Sequence, residues 1–516
     1  MEFNIWLWML SFLPIITLLL GISYFNISTQ KTASISLVIT IVLAINFFKV
    51  ESEYLFISVG KGGALALYII LIITGAILLY NTVELAGAFK SIKKFISQIT
   101  KDRALQLLVL SWAVAPFIQG VSGFGVPVAV VGSLLVGMGF KPVLAITAVL
   151  IGHSWAIGFG SMGSSFYALG LVTGLEINRL AVITALLFFI PIILTALAVI
   201  HLYHKERRVE FPKYIIKYII GIGSLMALVK IVVSYFKLPH LGALLAGLVG
   251  SFLFVLILKL KKGAEVEKQK ASDTKIMSPV IAIAPYLALV FSVLLFQLPI
   301  VKAKLPEAVI SFDFPGFITG LGYQVKAEMN YGAIDLFSHP VIFLCFSALL
   351  GAVLFVRLDY LEKPFMIITA SFKQVLSSAS SILLLMLIAL IMNDAGMLYL
   401  FANGLVEITG EFFPFFSPLI GVLGAFLTGS TTSSNVLFGS LQLRAAEIIS
   451  ISPYLLVGAQ AVGASLGSAV APAKILIGIA TVGVTAQGKE GIILNKAAYY
   501  TLLIALSVGG LVYLLI

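Results

Sequence analysis

The sequence predicts an all-α polytopic integral membrane protein with about 12 net transmembrane crossings and two broken-helix, re-entrant segments arranged as an inverted repeat. Three observations lead there. Of the 516 residues, 60% are hydrophobic and 11% charged, and the mean hydropathy is +1.12, a balance that soluble domains do not reach. Apolar runs approaching the ~20 residues that a bilayer span requires recur along the whole chain. Two regions place Gly, Ser and Thr where a plain span would place Leu.

The first apolar run, Ile5–Leu20, follows a stretch, Met1–Asn4, with one acid and no Lys or Arg. A secretory signal would start basic, so this run reads as a retained span. Ala33–Phe48 and Ala64–Tyr80 come next, then the first Gly-rich segment, residues 115–165. Leu180–Tyr203, Tyr214–Ser234 and Leu241–Leu258 complete an N-terminal membrane half, residues 1–258. A charged stretch, residues 259–277, reads as a cytoplasmic linker. The C-terminal half, residues 278–516, holds Ser278–Leu298, Val341–Val356, Leu376–Met392, the second Gly-rich segment (residues 424–484) and Ala497–Ile516.

A net charge of +11 would suit a nucleic-acid partner, but the basic residues lie between apolar runs, where they mark cytoplasmic loops. Segments Lys90–Arg103, Lys205–Lys217, Lys259–Lys275 and Arg357–Lys373 hold 19 of the 33 Lys and Arg. The alternating segments Lys49–Lys61, Gly174–Arg179, Tyr235–His240 and Pro299–Pro340 hold seven. With the first set inside and the second outside, both termini fall outside. The single cysteine, Cys345, excludes a disulfide framework.

The two Gly-rich segments share landmarks. Phe117-Ile118-Gln119-Gly120 parallels Phe426-Leu427-Thr428-Gly429, Gly132-Ser133-Leu134 parallels Gly439-Ser440-Leu441, and Pro142 with Gly152 parallels Pro453 with Gly463. The first is entered from the basic, cytoplasmic side and the second from outside, so the copies would be inverted. Breaking a helix inside a bilayer frees N–H and C=O groups that lipid cannot satisfy, and such breaks persist only inside protein or beside a wet cavity. Small residues also let helices pack closely. The run Gly429–Asn435, seven small or polar residues in succession, is too costly for that alone and points to a site.

Several motifs carry no chemistry here. Gly158-Phe159-Gly160-Ser161-Met162-Gly163 matches a dinucleotide fingerprint without the strand–helix unit that it needs. Gly463-Ala464-Ser465-Leu466-Gly467 matches a hydrolase elbow with no Asp or His after it, so it reads as a helix-packing pattern. The five His are scattered between His153 and His339 without partners at ligand spacing, so no metal, cofactor or enzymatic centre is expected. No nucleotide-binding G-K-[ST] is present, so an ion gradient or a separate protein would have to supply energy.

At the two segments the sequence resembles the L-lactate permease family, carriers of lactate and glycolate regarded as proton symporters. The blocks are FIQGVSGFGVPVAV with LLVGMGFKP, and FFSPLIGVLGAFLTGSTTSSNVLF. The resemblance extends over essentially the whole chain. It departs from the family pattern at Gln119 and Thr431, where the family carries Glu and Asp. The family's N-T-A-P reads Gly152-His153-Ser154-Trp155, and the lysine of its G-K-M-I-S-P-Q-S has moved six positions to Lys474.

The resemblance implies a small monocarboxylate anion as partner in the bilayer of the cell membrane, with no nucleic acid, and it implies symport with H⁺. Loss of the two carboxylates opens Na⁺ coupling and an uncoupled channel or facilitator as alternatives. A homo-oligomer is compatible with the sequence. The candidate binding set is Gln119, Gly120, Ser122, Gly123, Gly125 and His153 from the first segment. From the second come Gly429, Ser430, Thr431, Thr432, Ser433, Ser434, Asn435 and Lys474. His153 reads either as a proton carrier or as a packing residue, and Lys474 either as the charge for an anion or as a snorkelling or paired lysine. Asp394, Arg444 and Glu447 read as charges at span ends or loops.

Overall fold

A computed structural model describes residues 4–23, 25, 27–89, 91, 102–122, 125–211, 213–262, 277–482 and 489–516. The charged linker expected at 259–277 thus lies largely outside the described residues. Among them, 12 helices or helix pairs are long and apolar enough to cross a membrane, and two shorter apolar helices, Val126–Gly137 and Pro142–Gly152, accompany them. The apolar runs of the sequence all fall on these helices, and their large exposed side chains, such as Phe56, Phe291 and Leu503, suit a lipid surround.

Each Gly-rich segment folds as two helices that double back, then a helix, a break and a further helix. In the first, Arg103–Leu108 runs through a π-helical turn, Val109–Val114, into Ala115–Val121, and Val126–Gly137 returns. The return brings the Arg103 guanidinium over the Phe140 ring at 4.5 Å. Pro142–Gly152 then ascends, irregular backbone follows, and Ser164–Thr173 completes the unit. In the second, Phe413–Thr428 and Thr431–Ile448 form the pair, with Ser434 Oγ donating to Gly421 O at 2.9 Å and Gln442 Nε2 to Ser417 O at 3.3 Å. Pro453–Gly467, a break, and Pro472–Val482 follow.

The landmarks read from the sequence fall on matching elements. Pro142 and Pro453 each open a helix, where the missing N–H and the fixed φ of proline cost nothing. The two units pack reciprocally, Val126–Gly137 against Pro472–Val482 and Thr431–Ile448 against Ser164–Thr173. Close approach needs glycine: a Cβ on Gly467 would lie 2.5 Å from Val422 O, and one on Gly463 would collide with Pro418 O. The G-x-S-x-G stretch is therefore a packing pattern, as expected.

One expectation needs correction. The stretch Lys49–Lys61 was expected as an outside loop, but helix Ser52–Leu85 begins inside it and buries Lys61 completely. At 34 residues this helix is about 51 Å long, well beyond the ~30 Å hydrocarbon core, so it overhangs the bilayer. The outside segment Pro299–Pro340 carries strands. β1 (Val309–Phe314) pairs antiparallel with β4 (Glu328–Asp335), enclosing the small pair β2 (Phe317–Ile318) and β3 (Gln324–Val325). These strands sit on the overhang: Phe317 stacks on Tyr54 at 4.6 Å, and Gly320 N donates to Lys49 O at 2.8 Å.

Candidate functional site

The second hairpin turns at Gly429, whose φ of +72° favours a residue without Cβ. Ser430 then caps helix Thr431–Ile448, its Oγ accepting from Ser433 N at 3.3 Å. Thr428 Oγ1 lies 2.7 Å from Gly424 O and accepts from Ser430 N at 3.3 Å, so the turn holds itself closed. Thr431 Oγ1 donates to Ala464 O at 3.2 Å. The tip of the first hairpin carries buried Gln119 on one side of its last turn and Ser122, three residues on, on another. Gly125 (φ +84°) opens the returning helix.

Between these tips lies a cavity of about 90 Å³. Gln119 faces it from the first tip, Gly429, Ser430, Thr431 and Thr432 from the second, and Lys474 from helix Pro472–Val482. Its remaining wall is Ile157, Gly160 and Ser161, from the break after helix Pro142–Gly152, with Ser164 and Ser165 from the start of helix Ser164–Thr173. Ser161, Met162 and Gly163 have φ of 49°, 53° and 73°. Left-handed backbone costs a non-glycine residue about 1–2 kcal/mol, and such strain concentrates at working sites. The glycine at 160 makes room for the amide, since a Cβ there would lie 2.7 Å from Gln119 Nε2.

Six described candidates besides Ser122 stand off the cavity. Gly120 serves packing: its Cβ would lie 2.6 Å from Leu244 Cα. Gly125 packs against Ile477. Ser433 supplies the capped N–H, Ser434 accepts from Gln460 Nε2 at 3.1 Å, and Asn435 Nδ2 donates to Ser165 O at 2.9 Å. His153 is buried with Nδ1 on Val149 O, which makes Nδ1 the protonated nitrogen and leaves Nε2 without a partner among the described residues. Gly123 lies outside the described residues. Ser122 donates to Ile118 O at 2.7 Å and faces a second cavity of about 450 Å³, shared with Tyr80, Gln374, Ser377 and Ser378.

Lys474 is buried, donates to Ser468 Oγ, and has no ion pair with a carboxylate among the described residues. Gln119 Oε1 has no partner among the described residues. An ammonium, an amide, several hydroxyls and the N-terminus of helix Thr431–Ile448 therefore converge on one small space. This set can desolvate and hold a carboxylate. The breaks are clamped together by Ser465, which donates to Ser154 O at 2.5 Å and accepts from Gly158 N at 2.8 Å.

Sequence reasoning missed two buried lysines, Lys230 and Lys61. Lys230, fully buried, donates to Trp155 O at 3.0 Å and lies 3.3 Å from the Phe188 ring centre and 4.6 Å from that of Phe159. This cation–π cage braces the first break, and a lysine inside the apolar run Tyr214–Ser234 was the signal for it. Asp394 is buried beside Lys61, whereas Arg444 and Glu447 pair with each other at 2.8 Å near a helix end, as charges at a span end would.

Comparison with known proteins gives one consistent result. The family profile described as L-lactate permease matches residues 8–516. An L-lactate permease of Salmonella typhimurium is 30% identical, covering 98% of this chain and 95% of the relative. The glycolate permease GlcA of Escherichia coli is 28% identical over 98% and 95%. One of Streptococcus iniae, also named an L-lactate permease, is 29% identical over 86% and 92%. Among solved structures, MtrF of Neisseria gonorrhoeae, described as illuminating a class of antimetabolite efflux pumps, aligns with a TM-score of 0.52. Its 11% identity, over 98% of this chain and 97% of that one, is a likeness of fold.

Proposed function

The chain belongs to the L-lactate permease family, multi-pass cell-membrane transporters rather than enzymes, and on that premise we propose that it carries small monocarboxylates such as lactate and glycolate by ion-coupled symport with alternating access. The observation that carries this reading is the cavity where Lys474, Gln119 and the Gly429–Thr432 tip meet. The Lys474 ammonium and the N–H groups at the start of helix Thr431–Ile448 hold the carboxylate. Hydroxyls of Ser430, Thr432, Ser161 and Ser164 read the 2-hydroxyl end of the substrate.

Reading the two Gly-rich units as inverted copies supports alternating access. Reciprocal packing of the two units is what a two-fold relation between them requires. The base of the first hairpin lies by Arg103, in the basic, inside set, while the second follows the acidic stretch with Glu407 and Glu411. The first tip stands between the substrate cavity and the cavity beside Ser122, so its displacement would open one to the other.

Uptake of labelled lactate and glycolate into proteoliposomes, under imposed proton or sodium gradients, tests the proposal. Saturable uptake that one gradient drives uphill is the expected result. Absence of saturable uptake of either acid overturns the substrate class, and conductance without saturation or counterflow would favour a channel.

A further inference from the structure

No carboxylate lines the candidate cavity where Gln119 and Thr431 stand, so a coupling charge resides elsewhere. Among the described residues the only fully buried acid is Asp394, at 2% exposure. It ends helix Phe365–Asp394, and its Oδ2 accepts from Ser58 Oγ at 2.9 Å, while Asn393 Nδ2 donates to its Oδ1 at 3.2 Å. Lys61 Nζ stands 3.6 Å from Asp394 Oδ2 and 3.2 Å from Glu328 Oε1. One ammonium is thus shared by a buried carboxylate and by a half-exposed one on β4.

Resting on the transport reading above, we propose that Asp394 is the proton-carrying residue of this transporter, loaded from the outer side along Glu328 and Lys61.

The groups facing Asp394 leave an unbalanced charge. From helix Ser52–Leu85 comes Lys61, from β4 Glu328, and from helix Thr431–Ile448 the pair Arg444 and Glu447. Tyr323 and Tyr331 complete the surround, with Tyr399 behind Tyr323. Burial, then the Glu328 and Asp394 carboxylates, push the Tyr331 phenol well up, and burial raises Tyr323, so both remain neutral. Three carboxylates, Asp394, Glu328 and Glu447, then face two bases, Lys61 and Arg444. Glu328 and Glu447 are about half exposed and water solvates them, whereas Asp394 is sealed from it, so the charge that the shared ammonium leaves unmatched is costliest on Asp394, where a proton removes it. A sodium ion fits poorly, because the Lys61 ammonium 3.6 Å away repels it.

On loading, a proton from external water bonds to Asp394 Oδ1, which accepts only from Asn393, so that Oδ2 continues to accept from Ser58 beside Lys61. Lys61 keeps its own proton and remains with Glu328, and once the alternating-access change of the transport reading has turned Asp394 to the inner side, release returns the same proton to water there. Helix Thr431–Ile448 connects this event to the substrate, since Thr431 and Thr432 face the cavity at one end and Arg444 sits in the field of Asp394 toward the other.

Two measurements on the full-length protein test the assignment. Infrared difference titration of the purified protein needs no substrate: a protonated-carboxyl band that appears on acidification should vanish in Asp394→Asn, and its persistence overturns the proposal. In proteoliposomes, wild-type protein should accumulate lactate under an inward proton gradient. Asp394→Asn should keep counterflow within about twofold while losing gradient-driven accumulation at least tenfold. A Lys61→Met/Asp394→Asn pair, which leaves no lone buried ammonium, should behave likewise if the single variant folds poorly. Accumulation that survives in these variants, or wild-type counterflow indifferent to the proton gradient, overturns the proposal. Wild-type protein that transports neither acid would instead defeat the transport reading, while the infrared result still decides the proton site.

Discussion

Gln119 and Thr431, far apart in the chain and each at the tip of its own helical hairpin, line the same cavity. They are also the two positions where the family pattern carries carboxylates. Paired Gln119→Glu and Thr431→Asp substitutions would place two titratable groups beside Lys474. An anion then enters readily only when those groups are protonated, so initial uptake should fall more steeply with rising pH than in wild type. Rates of lactate uptake across external pH measure this, and an unchanged profile would show that the two positions do not set pH dependence.

Lys474→Ala should abolish most uptake without disturbing insertion. A charge-assisted hydrogen bond contributes about 1.5–3 kcal/mol, corresponding to a ten- to hundredfold rise in KM. Uptake kinetics alongside membrane yield separate binding from folding. Near-normal transport would assign Lys474 to structure through Ser468.

Two glycines should respond differently to alanine. At Gly429 the nearest atom to a new Cβ is 3.6 Å away, so only the left-handed backbone resists, by roughly 1 kcal/mol. Gly463→Ala would force a Cβ into Pro418 O and separate two helices packed backbone to backbone. Thermal unfolding in detergent should show a small loss for the first variant and a large one for the second.

Asn435→Leu removes the bond to Ser165 O and leaves that buried carbonyl without its donor, at a cost of about 1–3 kcal/mol. Since Ser165 also lines the cavity, apparent affinity for lactate should weaken together with stability. Unchanged affinity in a destabilised protein would show that the bond braces the fold and does not shape the cavity.

Much of this was legible in the sequence, for local reasons. Pro142 and Pro453 begin helices and Gly429 ends one, and these residues act through their own backbone geometry. Gln119, Thr431 and Lys474, singled out on the two Gly-rich segments, line one cavity. The wall formed by Gly160, Ser161, Ser164 and Ser165 was not singled out, although it lies inside the first segment. Its left-handed turn at Ser161 and Met162 has no composition signal, since neither residue favours that conformation. Lys61 escaped for a different reason. Charged and glycine-rich neighbours mimic a loop, and the partners that let it be buried, Asp394 and Glu328, are brought to it only by tertiary folding.

The thinness of the first tip has an electrical meaning. Gln119 and Ser122 are separated by less than one helical turn yet face different cavities. Where water fills both, the membrane voltage falls mainly across that turn, at about 2.3 kcal/mol per elementary charge for each 100 mV. A carboxylate crossing alone would meet nearly all of that potential within a few ångströms, whereas one accompanied by a proton would cross without current.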